Sequence, residues 1–259
     1  MLNRAQIKAE AKTIMKGARV SPYLMTLLLM SIVFILDRIT DLILGGSPFY
    51  SYSTWQRYLE LMESGNLDAL EQMAALLRER IGSVMFFLIL VSLAGIILNG
   101  GYLVYCIGIR RGAEMPYSTL ADGLGSAGKL IWCHIQMGVK IVLWSLLFWI
   151  PGIIAAYRYR FAYYNILTDD SLSAGDAIKL SCQQTRGMKG ELFVLDLSFI
   201  GWNLLSSMTF GLLGIWLTPY MTLCDLAYFD EGQRRVGRGY FSGRQGKHPP
   251  VNGDPWGPL

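Results

Sequence analysis

The chain has 259 residues, of which 53% are hydrophobic and only 16% charged, and it carries a net charge of +4. Soluble domains average about 25% charged residues, so a polar coat over this much apolar chain is not available, and the composition points to lipid as the solvent. The Lys and Arg residues flank apolar runs and form no stripe interleaved with aromatics, which argues against nucleic acid as a partner.

Residues 2–19 place Arg4, Lys8, Lys12, Lys16 and Arg19 at near-helical spacing with Ile7, Ala11, Ile14 and Met15 between them. This pattern predicts a basic amphipathic helix lying on the inner membrane surface, where it would engage anionic lipids. The apolar run that follows, about 20–44, is long enough to cross a bilayer and too long for the core of a signal peptide. Between Gly45 and Arg80 the chain turns polar, with Tyr50, Tyr52, Trp55 and Tyr58 forming the aromatic belt expected at a membrane boundary. Within this long outer loop Leu67, Leu70, Met73, Ala74, Leu77 and Ile81 recur at intervals of three and four, so a helix with one apolar face should precede the second span.

That second span, about 83–109, is rich in small residues, Ala94, Gly95, Gly100, Gly101 and Gly108, that let neighbouring helices approach closely. Arg110 and Arg111 end it. The loop beyond contains Gly123, Gly125 and Gly128 in a formal G-x-G-x-x-G, but no strand precedes it, so it reads as a Gly-rich linker rather than a nucleotide site. From Leu130 to Leu167 the chain is apolar for nearly twice a bilayer's thickness. Trp149, Ile150, Pro151 and Gly152 supply the expected break, giving spans of about 130–150 and 152–168 joined by a tight outer turn. Ser173 and Asp176 resemble a capping box, so a cytoplasmic helix should run from about Ala174 to Thr185. Spans at about 191–208 and 211–229 then form a second hairpin turning at Thr209, Phe210 and Gly211.

The fold class expected is all-α: a polytopic transmembrane helix bundle of about six spans, with both ends in the cytoplasm. Residues 1–230 form a single membrane domain, and 231–259, rich in Gly, Pro and Arg, a disordered cytoplasmic tail. Lys and Arg counting supports the orientation, because 16 of the 23 basic residues fall on the proposed inner side and only Arg38, Arg57, Arg78 and Arg80 on the outer side.

Charges inside spans are costly and need partners, which singles out Lys140, Arg158, Arg160, Asp196 and Asp225. At about 1.5 Å of rise per residue, Arg160, Asp196 and Asp225 lie at similar depth and can meet. Arg158 and Arg160 point about 200° apart on a helix, so one should pair while the other snorkels. Arg160 is expected to pair with Asp196 or Asp225, with His134 and Gln136 as polar neighbours, the group serving either to fix helix register or as a path for substrate or protons.

The four cysteines are widely separated and, with only His134 and His248 as histidines, form no metal-binding cluster. No H-E-x-x-H, G-x-S-x-G or P-loop is present, so neither an enzyme nor a cofactor is expected.

Several stretches carry a family likeness: Pro151-Gly152-Ile153-Ile154 with Tyr157, Asp176 to Ser181, Met188-Lys189-Gly190, Leu192-Phe193, Leu195 to Trp202, and Leu217-Thr218-Pro219-Tyr220. Over about residues 150–230 the chain resembles the bacterial membrane-protein family called domain of unknown function 975, found mainly in Gram-positive organisms. The resemblance implies a multi-pass plasma-membrane protein and no particular activity. Missing catalytic motifs and charged cytoplasmic helices favour a non-enzymatic protein that binds or regulates membrane partners or forms a homo-oligomer. Buried charges, a Pro-Gly break and small-residue helix faces favour the alternative, a transporter or permease.

Overall fold

The computed structural model describes residues 3–44, 52–64 and 67–237, and every regular element among them is helical. By its contacts the chain divides into two compact units, Met1–Leu29 with Ile96–Leu259, and Met30–Gly95.

Helix α1 (Arg4–Gly17) starts at Asn3, whose side chain accepts the Ala5 N–H at 3.0 Å and so satisfies one of the amides a helix start leaves open. Its apolar stripe of Ile7, Ala11 and Met15 is buried. Pro22 opens α2 (Pro22–Leu44), where proline's missing N–H costs nothing, and the two helices bend by 84° at the joint. Tyr105 holds that joint by donating its hydroxyl to the Val20 carbonyl at 2.7 Å. One turn away, the Tyr102 hydroxyl meets the buried Thr26 hydroxyl at 3.1 Å.

Helix α3 (Tyr52–Ser64) and α4 (Leu67–Arg110) follow. The expected loop helix and second span are one continuous helix of 44 residues, because nothing between Leu67 and Ser83 breaks hydrogen-bonded helix geometry. Tyr50 and the side chains of Tyr52, Trp55 and Tyr58 lie outside the described residues. In the smaller unit Arg38 pairs with Asp41 at 2.8 Å one turn along α2, which settles both charges locally.

The glycines of α4 are used where a short 3₁₀ helix, Tyr117–Leu124, lies on them. A Cβ at Gly101 would strike the Leu120 carbonyl, and one at Gly123 would strike the Ile97 carbonyl. The formal glycine motif is thus partly explained by packing: its first glycine admits a backbone-to-backbone approach. Gly95, by contrast, has open space around it.

Beyond lie α5 (Ala127–Leu147), α6 (Trp149–Tyr159), α7 (Ala162–Thr168), α8 (Ala174–Gln184), α9 (Lys189–Leu197), α10 (Ile200–Met208) and α11 (Gly214–Gly237). The break expected at Trp149 to Gly152 falls instead on one residue, Phe148, in extended conformation. Pro151 sits in the first turn of α6, where its ring is tolerated, so the helix begins before it. Gly152 lets α6 fold back on α5, since a Cβ there would meet the Ser145 side chain.

The expected spans 152–168 and 191–208 are each split, the first into α6 and α7 and the second into α9 and α10. Ser181 of α8 seals the first split: its hydroxyl donates to the Arg158 carbonyl at 2.8 Å and accepts the Phe161 N–H at 3.0 Å. Helix α8 has the expected Ser173 cap, which accepts the Asp176 N–H, and it is built into the core. Ala177, Ile178, Leu180, Ser181 and Gln184 are all buried, and α8 packs against α5, α6, α7 and α11. Leu130, Cys133 and Met137 of α5, Tyr159 of α6, Ile166 of α7 and Ile178 of α8 form one apolar cluster.

The second hairpin turns where expected, with Phe210 at φ 52° and Gly211 at φ 84°, and Phe210 is 99% exposed at its apex. Helix α11 runs past the expected end at residue 229 to Gly237, stabilised in its last turns by Glu231 paired with Arg234 and Arg235. Residues 231–237 are therefore helical rather than disordered, and 238–259 lie outside the described residues. Among the described residues two segments, Ile81–Arg110 and Ala127–Leu147, are long and apolar enough to cross a membrane, or three if α1 and α2 count as one bent span.

Candidate functional site

Three helices converge on Arg160, the residue that caps α6 just after Tyr159. Its Nη1 donates to Asp196 Oδ2 at 2.6 Å and its Nη2 to Asp196 Oδ1 at 2.8 Å, a bidentate pair across to α9. The same Nη2 reaches Asp225 of α11, with Oδ1 at 2.8 Å and Oδ2 at 2.9 Å. Tyr157, one turn back on α6, donates its hydroxyl to Asp196 Oδ2 at 2.7 Å. One guanidinium thus ties α6, α9 and α11, engaging both carboxylates that depth alone left as alternatives.

Local structure explains why Arg160 can do this. The α6 to α7 break lies at Arg160 and Phe161, and Ser181 holds it open at both freed backbone groups. Arg158, two residues earlier, makes no ion pair among the described residues, while its carbonyl takes the Ser181 bond. The chemistry of the group is ionic and not nucleophilic: two carboxylates face one guanidinium, leaving one negative charge in excess.

The other candidates stand apart from it. His134 hydrogen-bonds the Tyr163 hydroxyl and stacks on that ring, with centroids 6.3 Å apart. Lys140 places its Nζ 6.0 Å over the Tyr159 ring. Neither bonds to Arg160, Asp196 or Asp225, and Gln136 lies beside Gly175 at the start of α8. His134 and Gln136 both lie on α5, where His134 meets α7 and Gln136 meets α8.

A second arginine site was not singled out by sequence. Arg110, read there only as a stop signal, donates Nε to Asp230 of α11 at 2.6 Å and approaches Glu10 of α1 at 3.3 Å. Its side chain is 11% exposed, and its Nη1 is buried without a hydrogen-bond partner. A buried amide pair was also missed: Asn165 and Gln184 exchange two hydrogen bonds of 2.9 Å, and Asn165 adds a third to the Ala177 carbonyl. Polar residues within apolar stretches were the available signal for both, but their partners lie 19 to 120 positions away.

Among the described residues no group of His, Cys, Asp and Glu could hold a metal ion. Cys106, Cys133 and Cys224 are buried free thiols, and Cys182 is half-buried.

A family model described as protein of unknown function, DUF975, matches residues 1–235, which takes in both arginine sites and all of α1 to α10. No curated protein and no solved structure matches the chain.

Proposed function

This chain belongs to the DUF975 family, and from that premise we propose that it is a multi-pass protein of the bacterial plasma membrane that binds or regulates partner proteins and catalyses no reaction. In this reading the chain crosses about six times, with both ends in the cytoplasm. Two crossings are broken helices: residues 149–168 and 189–208 each supply the roughly twenty residues a bilayer needs. Breaks of this kind are tolerated in lipid where protein groups satisfy the freed backbone, as Ser181 does at Arg158 and Phe161. The exposed apolar side chains of α2, α4 and α5, such as Phe34, Phe86, Trp132 and Leu146, face acyl chains.

The observation that carries the reading is the Arg160 group. Both terminal nitrogens of the guanidinium are taken by protein carboxylates, which suits a fixed clamp on helix register better than a site that must exchange a solute. One feature favours the transport alternative: the unbalanced negative charge of Asp196 and Asp225 against Arg160 could bind a proton or a cation.

Topology and activity are tested separately. In a Cys182→Ser background, an impermeant maleimide should label Phe210→Cys in intact cells and Thr13→Cys only after lysis, and the reverse pattern overturns the orientation. Purified protein in proteoliposomes should conduct no solute and should bind a protein partner at fixed stoichiometry. Solute flux that disappears in Arg160→Gln replaces this reading with the transport one.

A further inference from the structure

A cavity of about 450 Å³ opens beside α1, lined by Lys8, Lys12, Met15 and Lys16 of that helix and by Phe199, Trp202, Trp216 and Tyr220. The volume is typical of a ligand site. All of its charge comes from α1, and the rest of its lining is aromatic or apolar. On α1 the buried stripe Ile7, Ala11 and Met15 faces protein, and the three lysines, four residues apart, form the neighbouring stripe that borders the opening.

Glu10, the acidic residue of the same helix, is turned to Arg110, so it neutralises none of the lysines. Among the described residues no carboxylate lies within 4.0 Å of Lys8, Lys12 or Lys16. The protein instead positions two of them by uncharged groups. Lys8 Nζ donates to the Ser198 hydroxyl at 2.8 Å and stands 4.6 Å over the Phe199 ring, while Lys12 Nζ is 5.9 Å from the centre of the Tyr220 ring. Held ammonium groups without a counter-ion, above a floor of Phe199, Leu213, Leu217 and two half-exposed tryptophans, define an amphiphile with an anionic head.

We propose that this cavity binds one anionic phospholipid, its phosphate against Lys8, Lys12 and Lys16 and the upper part of its acyl chains along Leu213, Trp216 and Leu217. The proposal rests on the membrane reading above and goes beyond a general attraction of a basic helix for a charged surface, because it names a single site of defined stoichiometry. Charge excludes the nearest alternative occupant. The chain's own segment 238–259 carries Arg238, Arg244 and Lys247 against Asp254 alone, the same sign as the cavity.

The test uses the full chain reconstituted in phosphatidylcholine bilayers doped with phosphatidylglycerol, then extracted in mild detergent and weighed by native mass spectrometry. Wild type should keep one phosphatidylglycerol per chain. Lys12→Gln with Lys16→Gln should bind it roughly thirtyfold more weakly, since each lysine near an anionic surface contributes a factor of about five. Lys12→Arg with Lys16→Arg should retain it, and Trp216→Ala should weaken it without changing the preference for charge. Equal retention of phosphatidylcholine, or retention that ignores the lysines, overturns the proposal. Displacement by soluble glycerol phosphate as readily as by lipid would also overturn it, making the cavity a site for a free phosphate ester. Failure of the chain to enter the bilayer at all, seen by vesicle flotation before extraction, would sink the membrane reading instead.

Discussion

Arg160 and Arg110 look alike on paper, each facing two carboxylates from two other helices, one of them always on α11, yet they are built to different tolerances. Around Arg160 the two carboxylates are 31% and 17% exposed, and both terminal nitrogens are bonded. Around Arg110 the carboxylates of Glu10 and Asp230 are 51% and 38% exposed, and one guanidinium nitrogen is left bare. The difference decides what happens when the arginine is removed. A carboxylate as covered as Asp225 is stranded, whereas one as open as Glu10 is resolvated at little cost. Arg160 therefore locks α6, α9 and α11 together, and Arg110 holds α1 against α4 and α11 by a contact that can open.

The comparison is broken most directly by replacing each arginine with glutamine and measuring unfolding of the purified protein in detergent. Arg160→Gln should cost about 3–5 kcal/mol, the loss seen when one partner of a buried ion pair is removed. If Arg160→Gln with Asp196→Asn and Asp225→Asn proves as unstable as the single change, stranded charge is not the cause. Ser181→Ala sharpens the same point one step back, at the break that aims Arg160. It leaves the Phe161 N–H and the Arg158 carbonyl without their bonds and should cost about 1–3 kcal/mol. Arg110→Gln should be the mildest, about 1 kcal/mol, because its carboxylates reach solvent. Its effect should be local: a cysteine at the buried Ala11 position, unreactive in the parent, should become open to maleimide as α1 loosens. A loss as large as that of Arg160→Gln, with Ala11→Cys still protected, would erase the distinction.

Which parts were legible beforehand follows from what each signal measures. Helix periodicity and the capping pair Ser173 and Asp176 are local, so α1 and α8 were expected within a residue or two of where they occur. The Phe210 and Gly211 turn was equally local, marked by glycine's tolerance of positive φ. Breaks without such residues were not. Nothing about Phe148 announces an extended residue, and Pro151 misled because proline is tolerated in a first turn. The split at Arg160 and Phe161 depends on a serine in another helix. The pairing of Arg160 with both aspartates came within reach because burial of charge demands partners and depth limits the choice. Tyr157 stands in the sequence only as one residue of the family likeness, and Arg110 only as a stop signal at the end of an apolar run.

Composition and patterning by themselves determined that this chain is helical throughout its described length, that its helices carry apolar surface beyond what a water-soluble domain shows, and that Arg160 had to find Asp196 or Asp225 at its own depth. Those conclusions need only the cost of exposing apolar groups and of isolating ions, which every residue bears wherever it sits. Tertiary structure alone decided that α8 is core, that Arg160 takes two carboxylates at once, and that the lysines of α1 stand over aromatic rings without an acid beside them. Each of these depends on groups far apart in the chain arriving at the same few ångströms, and no local preference encodes that arrival.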